Sequence, residues 1–215
     1  MQEEIVVKAP TTEALTPAQI TQKAEDLGVT KTEMSFGRSF ALSMMAGAFI
    51  AMGAMFFSLV VGDPALPFAI QRVLGGFLFC LGLILVVVAG AELFTGNTMI
   101  VMTAASKRIK WSAVWKNWIV VFFGNFLGAL VIVGLVFLSD MSAMNGGQVG
   151  QTMVSVAAGK MHADWLVLFA KGIMCNFLVC LGVWMAYASK TVADKILAVV
   201  FPITAFVACG FEHCV

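Results

Sequence analysis

The sequence predicts an all-α, polytopic membrane protein: a helical bundle in which two of the apolar helices are broken. Three observations predict it. Of the 215 residues, 60% are hydrophobic and only 12% charged, the balance of a multi-span membrane protein. Apolar runs recur at lengths close to or above the ~20 residues that a bilayer requires. Two of those runs are interrupted by polar residues, at Gly90-Ala91-Glu92-Leu93-Phe94-Thr95-Gly96-Asn97 and at Gly210-Phe211-Glu212-His213. A charge at a membrane-helix centre costs about 2.5–3.5 kcal/mol on insertion scales. Non-helical backbone at that depth persists only where protein or a water-filled cavity receives its hydrogen bonds. Paired breaks therefore point to a permeation site between them.

Residues 1–35 are polar and contain no apolar core of a signal peptide. They read as a cytoplasmic N-terminal segment, with 36–215 forming a transmembrane pore domain. Thr16-Pro17-Ala18-Gln19 predicts a helix start, with Thr16 as N-cap, Pro17 at the first position and Gln19 closing a capping box. Ile20, Ala24 and Leu27 follow at helical spacing, and Gly28 predicts the helix end. This short amphipathic helix either packs on the membrane domain or plugs it.

The first span is predicted over Phe36–Val61, closed by Gly62-Asp63-Pro64. A second run begins near Ala69 and reaches the first interruption, followed by a short apolar piece from Thr98 to Ala105. The third covers Trp111–Leu138. A Gly-, Ser-, Met- and Gln-rich connection from Ser139 to Ala163 leads to a fourth span, Trp165–Ala188. The fifth starts near Val192 and ends at Gly210. Gly47 with Ala51, and Gly124 with Gly128, give the small-residue spacing that lets membrane helices approach closely.

Charge orients the bundle. Lys8, Lys23, Lys31 and Arg38 precede the first span; Lys107, Arg108, Lys110 and Lys116 separate the second from the third; Lys190 and Lys195 separate the fourth from the fifth. The alternate connections carry Arg72 and Lys160. The positive-inside rule places the N-terminus in the cytoplasm and the Ser139–Ala163 connection outside. A formal net charge of +1 with no basic stripe gives no sign of a nucleic-acid partner. Cys80, Cys175, Cys180, Cys209 and Cys214 lie in apolar runs without metal-ligand spacing and read as reduced, small hydrophobic residues. No cofactor or metal site is expected.

The two halves share a rhythm, an intact helix followed by a broken one, which predicts an inverted repeat. Completing the second half requires a short helix after His213 and a sixth span. The sequence stops at Val215 in mid-pattern, so the expectation is that the biological chain continues and that the sixth span is missing here.

Several segments carry a resemblance. Ala89-Gly90-Ala91-Glu92-Leu93-Phe94-Thr95-Gly96-Asn97 resembles the signature of the formate/nitrite transporter family. Lys116-Asn117-Trp118 with Gly124-Asn125-Phe126-Leu127-Gly128-Ala129 is similar to that family's third span, and residues 171–181 to its fourth. Gly210-Phe211-Glu212-His213 is similar to its fifth-helix break. The resemblance runs from about Glu25 to Val215. It implies an aquaporin-like six-span fold, a homopentamer with one pore per protomer, and location in the cell's inner membrane. By the same resemblance, Thr95 and His213 belong to the two breaks. Lys160 and Asn176 lie near the outer pore mouth. Phe79, Leu83, Phe94, Val179 and Phe206 form two apolar constrictions, and Lys31 is a recurring lysine before the first span.

The chemistry expected of such a pathway is transport, not catalysis. A carboxylate crossing rings of Phe and Leu faces a large desolvation cost while charged. Low dielectric favours the neutral acid, and His213 is the intramembrane side chain able to donate a proton near neutral pH. Lys160 would concentrate anions at the entrance. His213, bonded through Thr95, would then neutralise the anion so that it passes Phe94 and Phe206, with protons as the second partner. Formate is the favoured substrate; nitrite, hydrosulfide, acetate and lactate are chemically equivalent alternatives. Glu92 and Glu212 are expected to be held by backbone N–H groups of the broken helices. Asn117, Asn125 and Asn176 read as interhelical hydrogen-bonding residues. A redox subunit would need several facing His or Cys ligands, and a water channel the Asn-Pro-Ala tips; neither pattern is present. A purely structural subunit would not need polar breaks at corresponding positions.

Overall fold

The computed structural model describes residues 14–215; Lys8 lies outside them. The described residues form helices and connections, without strands. In order these are α1 (Pro17–Glu33), α2 (Phe36–Val61), α3 (Phe68–Ala89), α4 (Phe94–Asn97), α5 (Ile100–Ala105), α6 (Trp111–Leu138), α7 (Gln148–Met161), α8 (Trp165–Ala188) and α9 (Val192–Ala208). Four of them (α2, α3, α6 and α8) are long and apolar enough to cross a membrane. The protein is thus a multi-pass, all-α membrane protein.

The bundle is assembled through glycine. A Cβ at Gly47 would fall on the backbone carbonyl of Asn125, and one at Gly128 on that of Met44, so α2 and α6 touch backbone to backbone. Gly53 and Gly82 do the same for α2 and α3, and Gly76 seats α3 against Thr204 of α9. The core lies where α2, α3, α8 and α9 meet, around Ala46, Leu83, Val179, Val199 and Phe206.

Two sequence expectations are corrected. Gly28 does not end α1, which continues to Glu33. Gly28 is instead a close-approach site, because a Cβ there would meet the side chain of Thr103. The Thr16 capping box is present as predicted. The Ser139–Ala163 connection is not an open loop; most of it is α7, which leans on the end of α2 through Thr152 and Gln148 beside Gly62. Arg72 and Lys160 accordingly sit within helices α3 and α7.

The bundle has two ends. Helix α1 lies at one, where α2 and α6 begin and Lys23 reaches the last turn of α8. Helix α7 lies at the other, where α2 ends and α8 begins.

Candidate functional site

Helices α3 and α9 stop in the same way. Each ends on a glycine in the left-handed region, Gly90 at φ +68° and Gly210 at φ +73°. Beyond each glycine a backbone N–H turns back over six residues, Ala91 to Val86 O and Phe211 to Phe206 O, both 3.0 Å. This satisfies carbonyls that a helix terminus would leave orphaned. A glutamate follows in each case, and here the expectation of backbone N–H partners is wrong. Lysines hold both: Lys31 Nζ lies 2.8 Å from Glu92 Oε1, and Lys160 Nζ lies 2.9 Å from Glu212 Oε2. Lys171 approaches Glu212 at 3.9 Å. The first pair sits at the α1 end and the second at the α7 end, as a repeat of opposite sense requires.

The first break is tied into the bundle by side chains. Asn125, fully buried on α6, accepts from Phe94 N at 2.9 Å and donates to Glu92 O at 2.8 Å and Ser43 O at 2.7 Å. Asn97 donates to Glu92 Oε2 and to Asn117 Oδ1, and accepts from Lys31 Nζ. Trp118 Nε1 donates to Asn97 O. Every one of these partners removes an unsatisfied polar group from an apolar interior.

Two open cavities approach the breaks from opposite ends. The α7-end cavity, about 340 Å³, is lined by Arg72, Phe79, Lys160, Phe206, Glu212 and His213 among others. The α1-end cavity, about 380 Å³, is lined by Lys23, Lys31, Arg38, Leu83, Leu93 and Lys195 among others. Phe79 and Leu83, one helical turn apart on α3, thus face different cavities. Phe79 meets Phe206 edge-on, with ring centroids 5.8 Å apart at 82°. Leu83 and Val179 are both buried in the wall between. Within it, buried Thr95 brings Oγ1 to 3.2 Å from His213 Nε2. The imidazole lies nearly parallel to Phe206, with centroids 5.8 Å apart.

The remaining predicted site residues sit as follows. Phe94 packs edge-on against Trp118 and Phe122 of α6. Asn176 donates to Thr98 Oγ1 at 3.0 Å, beside the first break, while its Oδ1 is buried without a partner among the described residues. Lys31 reaches the break from α1. Helix α1 is also fixed by Lys23, which donates to Tyr187 O at 2.7 Å, and by Arg108, which pairs with Asp26 at 2.6 Å and Glu25 at 3.3 Å. Burial, with Lys195 and Lys190 nearby, holds the Lys23 ammonium below the ordinary lysine range. Sequence reasoning passed over Arg72, Leu93, Tyr187 and Lys195 as lining residues. An arginine one turn inside an apolar helix was the available signal for the first. Among the described residues no three His, Cys, Asp or Glu side chains gather as a metal site needs.

Residues 18–215 match the formate/nitrite transporter family. The chain belongs to that family. Other formate/nitrite transporters bear this out. The chain is 39% identical over 203 residues to the formate channel FocA of Haemophilus influenzae, covering 94% of this chain and 72% of that one. It is 40% identical over 200 residues to FocA of Escherichia coli, covering 93% and 70%. Among solved structures it is similar to a pentameric formate channel with formate bound, at TM-score 0.79 and 39% identity over 83% of this chain and 71% of that one. An FNT family ion channel superposes at TM-score 0.81 with 28% identity, covering 91% and 78%.

Proposed function

We propose that this formate/nitrite transporter carries formate across the inner membrane, through a pore in each protomer of a homopentamer, with His213 supplying a proton to the anion. The observation that carries this reading is the Thr95–His213 contact, set between two cavities and flanked by Phe79, Phe206, Leu83 and Val179. A monovalent carboxylate entering that apolar wall must shed water with its charge uncompensated. Transfer of a proton from imidazolium His213 removes the charge; the neutral acid passes the rings and releases that proton in the opposite cavity, and His213 takes a proton back from the α7-end cavity that it lines. The amide N–H and carbonyl of Val215 both lie 3.2 Å from His213 Nδ1. The ring therefore has a partner at Nδ1 whether it accepts there as neutral imidazole or donates as imidazolium. Thr95 Oγ1 serves Nε2 in the same way.

Residues 1–35 are the cytoplasmic segment in this reading, and 36–215 the pore domain. The distribution of charge supports that orientation: Lys23, Lys31, Arg38, Lys107, Arg108, Lys110, Lys116, Lys190 and Lys195 belong to the α1 end. The α7-end cavity is then the outer mouth, with Lys160 drawing anions towards it. Lys31 is the gating residue, because departure of α1 would strip buried Glu92 of its counter-charge. The test is flux of formate, nitrite and water into proteoliposomes at two pH values. Formate uptake that exceeds nitrite and rises at the lower pH supports the reading. Nitrite preference replaces the substrate, and water flux without anion flux removes the function.

A further inference from the structure

We propose that Arg72 is an anion-docking residue of the α7-end cavity, binding the carboxylate before it reaches His213. The inference rests on the transport reading above. Arg72 sits one turn into α3 and reaches across to the end of α9. Its Nε donates to Ala208 O at 3.0 Å and its Nη2 to Val207 O at 2.6 Å. Those carbonyls belong to the last turn of α9, where the negative end of the helix dipole favours a cation; Val207 O also accepts from Gly210 N at 3.0 Å, and Arg72 supplies the donor for Ala208 O. Gly210 makes the reach possible: a Cβ there would stand 3.1 Å from Nη2.

Two carbonyls occupy the Nε–Nη2 edge of the guanidinium. The other edge, Nη1 with the remaining Nη2 proton, has no protein partner among the described residues, and Arg72 lines the cavity with Lys160, Glu212 and His213. That edge has the two-donor geometry that grips a carboxylate. Its charge is also the one left over. Glu212 already pairs with Lys160 at 2.9 Å and draws Lys171 to 3.9 Å, whereas Arg72 makes no ion pair among the described residues. Lys160 adds to the positive potential of this cavity but is held by Glu212, whereas the charge of Arg72 has no carboxylate partner among the described residues. The ligand class is a small monovalent oxyanion with two oxygens on one centre. The carbonyl fork fixes the plane of the guanidinium beforehand, which lowers the entropy cost of docking.

The experiment measures initial formate flux against formate concentration in proteoliposomes of the wild type, Arg72→Gln and Arg72→Lys. Gln keeps a donor for the α9 carbonyls and loses the charge; its half-saturating concentration rises about tenfold while the maximal rate is little changed, the signature of lost ground-state binding. Lys keeps the charge and lies between the two. A maximal rate that falls with half-saturation unchanged overturns the inference, as does a Gln variant that behaves like the wild type. A second measurement needs no variant. Phenylglyoxal modification of the folded wild type is followed by mass spectrometry at Arg38, Arg72 and Arg108, the arginines of this sequence. Formate selectively protects Arg72; equal modification with and without formate overturns the inference. A wild type that carries no formate but another anion defeats the substrate reading instead, and the protection assay with that anion still decides Arg72.

Discussion

Thr95 Oγ1 and His213 Nε2 lie 3.2 Å apart although 118 residues separate them in sequence. The contact joins the two breaks: Thr95 on the short α4 segment of the first, His213 just past the Gly210 turn of the second. Removing the hydroxyl while keeping the shape tests it. Thr95→Val lowers formate flux about tenfold, the rate equivalent of one hydrogen bond of ~1.4 kcal/mol. Thr95→Ser restores most of it, and stopped-flow uptake in proteoliposomes measures both.

Lys31 and Glu92 make a pair in which the carboxylate is almost fully enclosed, with 4% of its side chain exposed. Lys31→Met leaves that charge unpaired and lowers stability by about 3–5 kcal/mol. The double variant Lys31→Met/Glu92→Gln recovers most of the loss, since the remaining amide can still bond Asn97. Thermal unfolding of the detergent-solubilised protein gives the cycle.

Gly128 has no room for a side chain, because its Cβ would land on the Met44 carbonyl. Gly128→Ala separates α2 from α6 and costs about 1–3 kcal/mol, as overpacking does. Gly37→Ala, where nothing stands within 4 Å, leaves the melting temperature unchanged or slightly raised.

Docking of α1 has a predictable pH dependence. The Arg108 hydrogen bond holds the Asp26 carboxyl below the usual aspartate range. A carboxylate depressed in the docked state contributes above its free pKa of ~3.9 and loses that contribution as pH falls through the lower, docked value. Hydrogen exchange in α1, corrected for intrinsic rates, is therefore slow and independent of pH between pH 5 and 8 as far as this pair is concerned, and becomes faster only below about pH 4. Asp26→Asn exchanges at the faster level throughout.

The spans were legible because lipid imposes one rule on them: α2, α6 and α8 begin and end where apolar runs meet polar residues or glycine, Ser35 and Gly62 for α2, Lys110 and Ser139 for α6, Asp164 and Ser189 for α8. Both breaks were legible because glycine followed by glutamate has no place in an unbroken membrane helix. What was hidden depends on distance in space. Gly28 has the composition of a helix stop, yet its missing Cβ serves a contact with Thr103 on α5. Helix α7 was hidden by Gly and Ser content that suits a loop; its packing against α2 supplies what its propensity lacks. Glu92 and Glu212 find lysines 61 and 52 residues away, partners that no local spacing announces. Arg72 was counted as a loop cation because the start of α3 could not be fixed to the turn.

The central claim is that His213 neutralises the anion within the apolar wall, and one measurement addresses it most directly. Formate flux at neutral pH is compared between the wild type and His213→Phe, in proteoliposomes matched for protein and for oligomeric state. The account predicts that the Phe variant, which keeps a ring beside Phe206 but carries no exchangeable proton, abolishes formate flux. Flux unchanged from the wild type would contradict it.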